Sequence, residues 1–155
     1  MKSKIWTLGT RMRNAALIMI LVSAQAAAGQ DGEASASLYE RLGGWDNVER
    51  IVHDTIALHR ENPKIARHFA NVDVEALQKH VTAFFAAGTG GPNTYAGRDM
   101  ASTHAGMGLS DADFNAAVAD VLKACEMNGA GEQERSEVAA ILESLRPSVM
   151  AETAL

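Results

Sequence analysis

A chain of 155 residues, 47% hydrophobic and 21% charged, is long enough for one globular domain with a real core. Its formal net charge of −5 comes with no basic block able to track a phosphate backbone, which argues against nucleic acid as a partner. Seven methionines and only 5% aromatics point to an adaptable, mostly aliphatic interior.

The first segment reads as a secretory signal over residues 1–28. Lys2, Lys4, Arg11 and Arg13 form a basic start, and the apolar run from Ala15 to Val22 follows. Ala24-Gln25-Ala26 and Ala26-Ala27-Ala28 then offer two small-residue cleavage sites. The apolar run is well short of the ~20 residues a transmembrane helix needs, so the expectation is export to the periplasm or beyond, with tethering only if the signal stays uncleaved. Met12 splits Arg11 from Arg13, which disfavours a twin-arginine route. Those four basic residues are the only charges before residue 31, so the remainder carries a formal −9 and is distinctly acidic.

Residues 29–36 are small and polar and read as a disordered lead. Ser37 followed by Glu40 is a capping-box pattern for a short helix that Gly43-Gly44 closes. From Asp46 the apolar positions Val48, Ile51, Val52, Ile56 and Leu58 approach a helical period and stop before Asn62-Pro63. Ile65, Phe69 and Val72 mark a turn-rich passage. Asp73 can cap the next helix, whose Leu77, Val81, Phe84 and Phe85 share a face.

Gly90 to Gly108 is rich in glycine and contains His104, which sits on a helix of one or two turns at most. Ser110 to Asp113 opens another helix, striped by Phe114, Val118, Val121, Leu122 and Cys125 and closed by Asn128-Gly129. The last helix runs from about Glu132, with Val138, Ile141, Leu142, Leu145 and Val149 inside, and Arg146-Pro147 is expected to bend or end it. With no alternating β-period and no repeat, the class is all-α: four substantial helices plus short ones, one domain over residues 37–150.

The lone Cys125 cannot form an intrachain disulfide and falls on an apolar face, as a buried structural thiol does. Phosphate loops, Cys-x-x-Cys pairs and nucleophile elbows are all missing from the sequence. Chemistry therefore rests on five histidines. His53 and His59 have polar sequence neighbours and read as solvated, whereas His68 precedes Phe69 and suits a cavity rim. His80 borders the stripe of Leu77 and Phe84. His104, on its separately aimed turn between glycines, has the setting that a planar iron cofactor requires.

The order and spacing of several motifs resemble the truncated haemoglobins, the short group I globins of bacteria, cyanobacteria and protists. The matching residues are Ser37 to Gly44, Asn62-Pro63 through Phe69, Phe84-Phe85 leading to Gly90-Gly91-Pro92, and Tyr95-Ala96-Gly97-Arg98-Asp99-Met100 followed by His104 and Gly106. The resemblance runs from Ser37 to Val149 and implies a two-over-two helical sandwich around haem b (iron protoporphyrin IX). It makes His104 the proximal iron ligand and sets Phe69 against the porphyrin. Phe84, Phe85, Met100, Met107 and Leu109 serve either as pocket walls or as ordinary core. Tyr95, Arg98 and Lys79 are candidates to meet a haem propionate.

On the opposite side this chain departs from the family. Many members carry a tyrosine and a glutamine there, which hydrogen-bond the bound ligand; here the positions read Ile56 and Val81, with Leu77 at the gate. A donor bond to a partly charged ligand is worth about 1.5–3 kcal/mol, so its absence loosens dioxygen by roughly 10- to 150-fold. His80, next to Val81, stands where some cyanobacterial relatives place a second iron ligand; the alternative is a ring turned to solvent or a propionate. The first functional expectation is an exported haem protein binding O2, CO or NO, rather than a dedicated enzyme. The second is a bis-histidine redox protein with an electron-donor partner, and the third a helical module without haem.

Overall fold

The computed structural model describes residues 35–151. The expected signal over residues 1–28 and most of the lead lie outside them. Six helices follow in order: α1 (Leu38–Arg41), α2 (Gly44–Glu61), α3 (Val74–Gly88), α4 (Met100–His104), α5 (Asp111–Met127) and α6 (Glu132–Val149), with a 3-10 turn at Ala66–Phe69. No strand occurs among the described residues, and no helix among them is long and apolar enough to cross a membrane.

Local chemistry starts most of these helices where expected. Ser37 and Glu40 form a reciprocal capping box on α1, and Ser110 and Asp113 form another on α5. Asp73 accepts from the backbone of Ala76 to begin α3. Two boundaries differ from the sequence reading. Helix α2 begins at Gly44, two residues early, behind Gly43 in the left-handed conformation. Helix α6 runs through Pro147 instead of ending there. The bond that the proline ring forfeits is to the carbonyl of Glu143, an exposed residue within reach of water, and only the last turn lies beyond it.

Helix α2 packs against both α3 and α5, α5 against α6, and α1 against α2 and α6. The α2–α3 pair is thus joined to the α5–α6 pair through α2–α5. Their common core holds Leu42, Val48, Ile51, Ala86, Ala124, Cys125 and Val138. Each large aliphatic side chain fully withdrawn there stabilises the fold by ~1.5–3 kcal/mol. Cys125 is buried as expected, and burial raises its thiol to about 11, so it stays protonated and unreactive. Short α4 stands apart from this core and leans on α6.

Candidate functional site

Helix α4 is a five-residue turn with its own fastenings. The Asp99 carboxylate accepts from the Ser102 backbone at 2.9 Å and from the Ser102 hydroxyl at 2.8 Å, which starts the helix. Upstream, the Tyr95 hydroxyl donates to the Arg98 carbonyl at 2.6 Å, and its ring meets Phe84 of α3 edge-on with centroids 5.2 Å apart. The Tyr95 ring passes so close to Gly97 that a Cβ there would overlap it. Downstream, Ala105 leaves helical geometry and Gly106 turns back at φ +72°.

His104 ends this turn, half-buried, with Nδ1 at 2.8 Å from the Met100 carbonyl oxygen. A carbonyl can only accept, so Nδ1 carries the proton and donates. With Nδ1 engaged in this way, Nε2 is the ring nitrogen left to act as a ligand atom, and the bond four residues back sets the ring's orientation.

Helix α3 has two unlike sides. Thr82 and Ala86 are buried against the core, whereas Leu77, Val81 and Phe84 form a stripe that is only half-buried. Met100, Met107 and Leu109 around α4 are half-buried too. Ile56, on α2, is almost fully enclosed. His80 lies exposed beside this stripe, and among the described residues its ring makes no hydrogen bond or ion pair. Lys79 and Arg98 are likewise exposed and unpaired, while the Tyr95 hydroxyl is committed to its own loop. In this arrangement the one Tyr95 hydroxyl proton serves the Arg98 carbonyl.

The reading of His59 as solvated is also corrected. Its side chain is 11% exposed, its Nδ1 lies 3.0 Å from Asp120 Oδ2 of α5, and its ring is 5.1 Å from that of Phe69. Burial pushes the imidazole below its ordinary range, against the upward pull of the Asp120 hydrogen bond. The missed signal was the spacing: His59 is three residues from Ile56 and seven from Val52, on the apolar side of α2. His53 is exposed as expected. His68 is half-buried, with Nε2 enclosed and lacking a partner.

Elsewhere, an open cleft of ≈ 460 Å³ between α5 and α6 is lined by Leu122, Lys123, Glu126 and Arg135. Its charged groups are already paired, Glu126 with both Lys123 and Arg135. No histidine lines it.

A short all-helical fold with one histidine on a brief separate turn, and a half-buried apolar stripe along α3, has the architecture of an abbreviated globin. The bacterial-like globin family model matches residues 37–151. A group 1 truncated haemoglobin of Synechocystis sp. is 32% identical over 110 residues, spanning 68% of this chain and 89% of that protein. The Fe(III) form of the truncated haemoglobin of Tetrahymena pyriformis superposes with a TM-score of 0.72 at 26% identity, covering 74% of this chain and 97% of that one. The 2/2 haemoglobin of Synechococcus sp., described in a cyanomet state with covalently attached haem, gives 0.70 at 26% identity, covering 76% and 100%. The chain belongs to the bacterial-like globins, in their group 1 truncated haemoglobin branch.

Proposed function

We propose that this protein is a haem globin that binds small diatomic ligands at a histidine-held iron. The observation that carries it is the His104 tautomer: Nδ1–H is spent on the Met100 carbonyl and Nε2 is left as a ligand atom. The half-buried stripe of Leu77, Val81 and Phe84 suits the apolar face of a porphyrin, and this reading assigns half-buried Phe69 to pack against the same group. Haem b is the form this reading takes, and bound iron would supply the gas-binding chemistry. Lys79 and Arg98, exposed and unpaired among the described residues, are the cations this reading assigns to the propionates of such a group. Reconstitution with haemin checks the reading: the parent should give a sharp Soret band, and His104→Ala should lose it. An unaltered band in that variant would move the iron ligand elsewhere.

Ile56, Val81 and Leu77 donate no hydrogen bond, which favours rapid, reversible exchange of O2, CO and NO over tight oxygen storage. The N-terminal basic-then-apolar pattern supports export, and a carrier or scavenger outside the cytoplasm is the role this combination fits.

One observation favours a second reading. The His80 ring has no protein partner and adjoins Val81, so it is free to serve as a second iron ligand. The protein would then act as a bis-histidine redox carrier fed by an electron-donor protein. Ferric and ferrous spectra of His80→Ala distinguish the two: a shift from six-coordinate low-spin to high-spin supports the redox reading, and spectra identical to the parent's exclude it.

A further inference from the structure

The proposed site needs Phe69, yet Phe69 sits on a turn rather than on a long helix. What holds that turn is a set of polar contacts absent from the sequence reading, all converging on one face of α5. Asp120 accepts from His59 Nδ1 at 3.0 Å and from Asn62 Nδ2 at 3.0 and 3.1 Å. Seven residues earlier, two turns along the same face, Asp113 Oδ1 accepts from Arg67 Nη2 at 2.7 Å. His59, Asn62 and Arg67 bracket the route from the end of α2 to Phe69.

Each contact fixes something specific. Asn62 ends α2, and its carbonyl receives the amides of Ile65 and Ala66 that fold the following turn. Its own Oδ1 receives the Lys64 amide at 3.1 Å. Arg67, besides reaching Asp113, donates to the Lys64 carbonyl and closes the turn on itself. His59 carries the effect by direct contact, because its ring lies against that of Phe69 at 38° between planes. A carboxylate that accepts from two side-chain donors, one of them shared across both of its oxygens, is not free to shift, and the turn is pinned at both ends.

We infer that Asp120 and Asp113 of α5 form a clamp, acting through His59, Asn62 and Arg67, that sets the position of Phe69 against the haem. Asp120, His59 and Asn62 are positioning residues, and the inference rests on the haem reading above.

Two measurements test it on the full chain. In haem-free protein, Asp120→Ala should raise amide exchange selectively over residues 62–69. In haemin-loaded protein, the same change should speed haem release to an excess of apo-globin by roughly tenfold, the scale of one lost charge-assisted contact. Asp120→Asn, which keeps an acceptor oxygen, should fall between it and the parent. Val138→Ala, in the core on α6, is the control for simple destabilisation and should leave the 62–69 pattern and the release rate near parental. Asn62→Ala, which cuts one link and spares the His59 pair, replaces Asp120→Ala if that variant does not fold. Parental exchange over 62–69 overturns the clamp. Parental haem release despite a loosened turn, or equal acceleration by Val138→Ala, overturns its tie to the cofactor. A parent chain that takes up no haemin defeats the haem reading, and the exchange result still decides whether the clamp exists.

Discussion

The ring of His104 shows how one backbone carbonyl can decide chemistry. Had Nδ1 faced a hydroxyl or water, either tautomer would serve; facing the Met100 carbonyl, only one does. Ile56 makes the complementary point, since its apolar side chain withholds the donor that would retain a polar ligand. Ile56→Tyr should slow dioxygen release by roughly 10- to 150-fold, the worth of one hydrogen bond to a partly charged acceptor. Stopped-flow displacement by CO measures it. An unchanged rate would mean that residue 56 does not line the ligand side.

Helix α4 is too short to be stable by itself, since fewer than about 12–15 residues seldom hold a helix in water. It exists because its ends are tied: Asp99 caps one, Tyr95 and Gly97 lock the approach, and Gly106 turns the chain away. At φ +72° a Cβ on residue 106 would touch nothing within 4 Å, so the cost of adding one is backbone strain alone. Gly106→Ala should therefore lower stability by about 1–2 kcal/mol, and Gly106→Asn by less, as read from urea unfolding midpoints. Equal midpoints for all three would show that the turn relaxes elsewhere.

Stability of the whole domain should depend on pH through His59. The folded chain holds this imidazole neutral, because burial disfavours its charge. The unfolded chain binds a proton below the ordinary value of about 6.5, so acidification feeds the unfolded state first. The His59 contribution is complete above that value and is lost as pH falls from it toward the lowered folded value. Urea midpoints of the parent should drop as the pH falls below about 6.5. His59→Gln, which keeps a donor but does not titrate, should flatten that drop. A parallel drop in both proteins would assign it to other groups.

Much of this protein was legible along the chain, because capping and helical periodicity are local. Ser37 with Glu40, Asp73, and Ser110 with Asp113 each act within one turn, and they started α1, α3 and α5 where the residues predict. The placing of His104 on a brief turn was equally local, following from Gly97 and Gly106. Pro147 misled because its effect depends on how much helix remains beyond it. What only the tertiary structure decided were contacts across long separations. His59 has polar neighbours in sequence, yet its environment is set by Asp120, 61 positions away, and by Phe69 on a turn. Burial belongs to the helix face and to what packs there. Residue types and spacing thus determined the helices and the candidate ligand, while the packing of α5 on α2 alone decided which polar groups went inside and what they hold.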